Sequence, residues 1–161
     1  MKFGWAPWRM EYLVNARQKP RGCVFCRRSV RGKGMCRLVL YRGKKNYVVL
    51  NKFPYNNGHL MVVPHRHLRD FEKLEEQELS EMMALVRRSV SVLKKTYRPD
   101  AFNIGMNIGK EAGAGIPGHL HMHVVPRWRS DTNFMPVLGE TRFLVEHLAR
   151  TFTRLKKGWE S

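Results

Sequence analysis

The order of hydrophobic patterns in this sequence predicts an α+β fold: an antiparallel meander sheet, one long helix and a C-terminal helix in a single domain. Three observations carry it. Short apolar runs rich in β-branched residues come in pairs joined by turn residues, one long helical periodicity separates the third run from the fourth, and a second helical stretch closes the chain.

Residues 1–36 read as an N-terminal segment with aromatic anchors, Trp5 and Trp8 among them, followed by a cysteine-bearing loop; 37–130 form the expected core and 139–157 the closing helix. Residues 37–42 and 46–51 alternate as strands around Gly43-Lys44-Lys45, a short glycine-containing link suited to a hairpin. The Pro-Tyr-Asn-Asn-Gly turn at 54–58 leads into a strand over 59–63 that Pro64 stops. From 75 to 97 the apolar positions Leu79, Met82, Met83, Val86, Val90, Leu93 and Tyr97 recur at offsets of three and four, which predicts a helix, and Pro99 lies just past its end. Residues 101–108 alternate as a strand, 109–118 form a glycine-rich loop, and 119–126 read as another strand.

Thirty Lys and Arg against thirteen Asp and Glu give a formal net charge of +17, which favours anionic partners. The basic residues are dispersed in pairs rather than gathered in a block, so they do not form a basic arm. No apolar run approaches the roughly 20 residues of a membrane span, and no signal peptide is evident, so a cytoplasmic protein without membrane association is expected. Three cysteines, two of them in Cys23-Val24-Phe25-Cys26, argue against a disulfide framework and toward a metal or redox role. Cys36 reads as a small core residue.

His119, His121 and His123 alternate with Leu120, Met122 and Val124. In a strand the three imidazoles would share one face and the apolar residues the other. Two chemistries suit that row: a shared metal, or a nucleophile supported by its neighbours. The preceding loop favours the nucleophile. Its backbone N–H groups, at glycines such as Gly113 and Gly115, suit phosphate oxygens, and Lys110 adds a cation.

The stretch from His119 to Val125 resembles the His-φ-His-φ-His-φ-φ signature of the histidine triad family, φ being apolar, and residues 50–64 are similar to the family's ribose-binding turn and following strand. Trp5 to Tyr12 and His123 to Trp128 resemble the branch of diadenosine polyphosphate hydrolases and diadenosine tetraphosphate phosphorylases. The resemblance implies that His121 attacks the α-phosphate of an adenine nucleotide or dinucleoside polyphosphate and forms a nucleotidyl-histidine. His59 would orient it, His123 would touch the α-phosphate, Asn51 would hold the ribose and Asn107 a phosphate or bridging oxygen. Water or inorganic phosphate would release the product. Trp128 would neighbour the purine or the phosphate chain. The resemblance also implies a homodimer and, in its zinc-bearing members, a structural zinc whose ligands here would be Cys23, Cys26, His67 and His119. No organic cofactor is expected.

One departure stands out. Many members carry Gln followed by Ser or Thr just before the first triad histidine, whereas this chain has Ala114-Gly115-Ile116-Pro117-Gly118. Leaving-group contacts then fall to backbone N–H groups, Asn107 or Lys110, and the acceptor choice leans toward phosphate. Two other readings stay open: a nucleoside phosphoramidase or adenylyl hydrolase, and a zinc-containing nucleic-acid-binding module.

Overall fold

The computed structural model describes residues 22–29, 38–129, 131 and 144–160. Trp5, Trp8, Cys36 and the first residues of the expected closing helix lie outside them. The elements in order are α1 (Val24–Ser29), β1 (Val39–Arg42), β2 (Asn46–Leu50), β3 (Leu60–Pro64), a 3-10 turn (Phe71–Lys73), α2 (Glu76–Tyr97), β4 (Ala101–Gly105), β5 (Met122–Arg127) and α3 (Leu148–Glu160).

The five strands form one antiparallel sheet, as expected, in the order β1-β2-β3-β5-β4. The meander holds through β3; then α2 carries the chain across, β4 takes the edge and β5 inserts beside β3. That insertion sets Met61 opposite His123 and brings the head of β3 next to β5.

Strand alternation divides the core in two. Leu40, Val48, Leu50, Leu60, Val62 and Val124 face α2 and α3, where Met82, Leu85, Val86, Leu93, Leu155 and Trp159 meet them. Tyr47, Val49, Met61 and Val63 face the other way and pack with Phe25 of α1. The histidines belong to this second side.

The helix expected over 75–97 is present, but its apolar stripe is turned relative to the expected one. Leu85 and Val92 are buried, whereas Leu79 and Met83 are 37% and 49% exposed. The buried positions follow the sheet they cover, and hydrophobic spacing alone did not fix that phase. Glu75 and Glu78 close a capping box at the helix start, and Arg98, in the left-handed region at φ 49°, ends it one residue before Pro99. Among the described residues the closing helix runs over Leu148–Glu160; the N–H groups of Arg150 and Thr151 bond to the His147 carbonyl, which marks its beginning.

Glu81 holds the β1–β2 turn. Its carboxylate accepts the backbone N–H of Lys44 (2.7 Å), Lys45 (2.7 Å) and Asn46 (2.6 Å) and the Asn46 side chain (3.1 Å). Burial alone would raise this carboxyl; the four donors outweigh it and hold it below the usual range. A Cβ at Gly43 would come within 2.7 Å of Glu81 Oε1 and 2.9 Å of the Asn46 carbonyl, so the turn needs glycine there. Replacing Glu81 with Ala strips the partners from three N–H groups and is expected to cost about 1–2 kcal/mol, read as a lower urea midpoint at unchanged slope.

Candidate active site and metal centre

Pro64 explains why the histidine row does not lie wholly in a strand. The strand expected over 119–126 begins at Met122, so of the three only His123 has a ladder partner, while His119 and His121 occupy its lead-in. Continued pairing would set Leu120 against Pro64, which has no N–H. The Leu120 N–H instead donates to the Leu68 carbonyl (2.7 Å), and the Pro64 carbonyl accepts the His119 Nε2–H (3.0 Å). The expected alternation survives in part: Val124 and Met122 pack with the helix-side core, whereas the His121 and His123 rings meet at 4.8 Å.

A chain of hydrogen bonds assigns the imidazole protons. The backbone N–H of Tyr55 donates to His59 Nδ1 (3.0 Å), with the Asn51 amide a second donor at 3.2 Å, so that nitrogen carries a lone pair. The His59 proton is therefore on Nε2, which donates to His123 Nδ1 at 2.9 Å. His123 then carries its own proton on Nε2. His121 runs the opposite way: its Nδ1–H donates to the His119 carbonyl (2.8 Å), which leaves the lone pair on Nε2. His59 thus bonds to His123 rather than to His121, the residue it was expected to orient.

Burial keeps the group neutral. It pushes His59 down to about 3, with the charges of His123 and His121 adding to the effect, and His123 down to about 4, with His121 adding. His121 is lowered as well, burial outweighing the opposing bond to the His119 carbonyl. A neutral His121 presenting the Nε2 lone pair has the electronic form of a nucleophile.

The remaining expected contacts are distributed unevenly. Asn51 lies against His59, and its Oδ1 accepts the Phe53 N–H (3.0 Å). Asn107 faces the glycine loop, its Nδ2 lying 4.0 Å from where a Cβ would stand on Gly113. Gly113, at φ +83°, turns that loop back so that its N–H meets the Lys110 carbonyl (2.9 Å). Lys110 and Gly115 are exposed on the loop. Trp128 lines a different cleft, with Asn56, Asn57, Tyr97, Asp131 and Arg150. Phe25, which the sequence does not mark out between its two cysteines, joins the site: its ring lies 4.9 Å from that of His121 and 5.5 Å from that of His119.

The four residues expected around a metal do converge. Cys23, Cys26, His67 and His119 place one ligand atom each within 4.8 Å of one another. Cys23 Sγ lies 3.3 Å from His119 Nδ1, Cys26 Sγ 3.3 Å from His67 Nδ1, and the two Nδ1 atoms are 3.3 Å apart. Metal–nitrogen bonds of about 2.0 Å at tetrahedral angles separate two nitrogens by about 3.3 Å, so the donor set matches one tetrahedral ion. The bond from His119 Nε2 to the Pro64 carbonyl leaves Nδ1 free to ligate and fixes the ring from behind. His119 therefore serves both centres, through its ring at the metal cluster and through its carbonyl at His121.

The fold and site together define a class: a five-stranded antiparallel sheet carrying a row of histidines, the central one unprotonated at Nε2. The HIT domain model matches residues 35–130, and the chain belongs to that family. It is 38% identical over 161 aligned residues to a Mycobacterium tuberculosis protein named AP-4-A phosphorylase, covering 96% of this chain and 83% of that one. A Schizosaccharomyces pombe bis(5'-nucleosyl)-tetraphosphatase (asymmetrical) is 34% identical over 93 residues, 58% of this chain and 50% of the other. The fold matches a Zn-bound histidine triad family protein from Mycobacterium smegmatis with a TM-score of 0.68 at 24% identity, over 86% of this chain and 94% of that one. The expected family and branch are borne out by these relatives. Among the described residues no helix is long and apolar enough to cross a membrane.

Proposed function

We propose that the protein cleaves dinucleoside polyphosphates of the diadenosine tetraphosphate type at an α-phosphate, through a covalent nucleotidyl intermediate on His121. The carrying observation is the protonation pattern, in which His121 alone among the row offers a lone pair not already committed within the protein. Its Nε2 attacks phosphorus, a P–N bond forms, and the P–O bond to the departing polyphosphate breaks. In the second step an oxygen of phosphate or water attacks the phosphorus, a new P–O bond forms, and the P–N bond breaks with its electron pair returning to His121 Nε2.

The His123 Nε2–H and backbone N–H groups of the glycine loop suit the negative charge on the transferring phosphoryl group, and Lys110 adds a cation. Asn51 suits the ribose, while Asn107 and Gly115 suit the phosphate chain; the Gly113 N–H is taken by the Lys110 carbonyl, so Gly113 contributes the turn of the loop. Trp128 lines a cleft with Asn56 and Tyr97 and would meet the purine or the phosphate chain there. Cys23, Cys26, His67 and His119 would hold a structural zinc that ties α1 to the sheet, with no part in the bond changes.

Phosphorolysis is the favoured second step, supported by the name of the Mycobacterium tuberculosis relative and by the absence of side-chain donors from Ala114 to Gly118. A cytoplasmic homodimer is the favoured setting. Along the edge strand β4 the residues Ala101, Asn103, Ile104 and Gly105 are exposed, and the apolar Ile108 beyond it is 50% exposed, which suits pairing with a second copy.

Product analysis with diadenosine tetraphosphate, with and without inorganic phosphate, tests the reading. ADP and ATP formed only when phosphate is present are expected. AMP and ATP without phosphate would replace phosphorolysis by hydrolysis, and no cleavage under either condition would overturn the proposal.

A further inference from the structure

Phe25 lies between the two cysteines of the metal cluster and is 1% exposed. A six-residue helix has little hold on a sheet by itself, yet α1 is anchored at three points. The Cys23 and Cys26 thiols reach His119 and His67, the Phe25 ring enters the core among Tyr47, Val49, Met61 and Val63, and the Tyr47 hydroxyl donates to the Phe25 carbonyl (2.8 Å). Tyr47 is itself fully buried and stacked on His65, so this anchor is stiff.

The bond from His121 Nδ1 to the His119 carbonyl selects the tautomer of His121 only while the ring stays in the plane that keeps Nδ1–H on that oxygen, and a single hydrogen bond does not hold a ring in its plane. Two ring contacts do that. His123 meets His121 at 4.8 Å with the planes 73° apart, and Phe25 meets it at 4.9 Å with the planes 46° apart. His123 is held by His59, which is held by the Tyr55 N–H. Phe25 is held by the cysteines on either side of it. The two walls of the His121 ring therefore have independent anchors, one in the β3 turn and one in the metal cluster.

We propose that Phe25 is a positioning residue, bracing the His121 imidazole so that Nε2 points at the phosphate and linking the occupancy of the Cys23–Cys26–His67–His119 cluster to that alignment. The inference rests on the nucleophilic role proposed for His121. Misplacing a reacting atom by about 1 Å costs on the order of a hundredfold in rate, so loss of one wall should fall on the chemical step rather than on nucleotide affinity.

The test uses the full chain loaded with zinc, comparing the wild type with Phe25→Leu, which keeps an apolar side chain in the core, and with Phe25→Ala. Zinc content, histidine 15N spectra and steady-state kinetics on diadenosine tetraphosphate are measured on each. For Phe25→Leu the expected result is full zinc content and a His121 resonance that changes from a single Nδ1–H tautomer to an exchanging mixture. A kcat lower by roughly 10- to 100-fold at a KM changed less than about threefold completes it. Phe25→Ala should show the same effect more strongly if it folds; the Leu variant decides if it does not. A zinc-loaded Phe25→Leu protein with an unaltered His121 tautomer and unaltered kcat would overturn the proposal. So would a loss of activity that only follows loss of zinc or of folded protein. The spectra need no turnover, so absence of cleavage by the wild type would count against the His121 reading while the ring alignment is still decided by the tautomer.

Discussion

His121→Ala is expected to lower kcat for dinucleotide cleavage by at least about a thousandfold, as removal of a covalent nucleophile does, with the fold retained. The size of the effect follows from what the neighbours cannot do. His59 has Nδ1 occupied by the Tyr55 N–H and its proton committed to His123. His123 accepts that proton on Nδ1 and carries its own on Nε2, so it has no lone pair to offer. His119 turns Nε2–H to the Pro64 carbonyl and Nδ1 into the cysteine cluster. None of the three can take over the attack without breaking a bond inside the protein. Added imidazole should restore part of the rate by entering the space the side chain leaves. The measurement is single-turnover cleavage of labelled substrate with isolation of the protein-bound nucleotide. Labelled nucleotide still bound covalently to the Ala variant, or a rate within tenfold of wild type, would remove His121 from the nucleophile's role.

Much of this was readable in the sequence because it depends on local periodicity. Alternation over 46–50 and 60–64, the helical spacing over 76–97 and the glycine at Gly43 each name a conformation without reference to distant residues. The convergence of Cys23, Cys26, His67 and His119 was legible only through family resemblance, since beyond the Cys-x-x-Cys pair the other two successive separations, 41 and 52 residues, follow no spacing rule. What could not be read was set by tertiary partners. Nothing local says that β5 inserts between β3 and β4, or that the ladder stops at Met122 because two residues further on Leu120 would stand opposite Pro64, which has no N–H to give. The same holds for the burial of Leu85 and Val92 in place of Leu79 and Met83, which the sheet decides. The bond from His59 to His123 is likewise a tertiary contact, made across the sheet by a residue just ahead of β3. Phe25 carried no signal at all, because an aromatic residue between two cysteines reads as ordinary core.

The second large effect should come from the metal cluster, and it should be one of stability before it is one of activity. Chelation, or Cys23→Ser with Cys26→Ser, is expected to lower the melting temperature by on the order of 10 °C. Metal held at about a thousand times its dissociation constant stabilises the folded chain by about 4 kcal/mol, and a chain of this length loses about 2–4 °C per kcal/mol. The structural reason lies in what faces what without an ion. Burial already raises the Cys26 thiol above its ordinary range, with Cys23 adding, so that thiol resists ionising unless a cation is present. His119 Nδ1 is a buried lone pair 3.3 Å from both His67 Nδ1 and Cys23 Sγ, so a shared ion would meet a donor already in place. Metal content by elemental analysis and thermal melting with and without chelator are the measurements. A protein purified without metal, and indifferent to chelator in its melting, would sink the expectation. If instead the metal is found and its removal lowers the melting temperature, the order of loss becomes informative. His119 holds His121 through a backbone carbonyl, and that carbonyl stays in place while Leu120 N–H remains bonded to Leu68. Activity should therefore decline only as α1 and Phe25 leave the sheet, at lower temperature than the sheet itself unfolds.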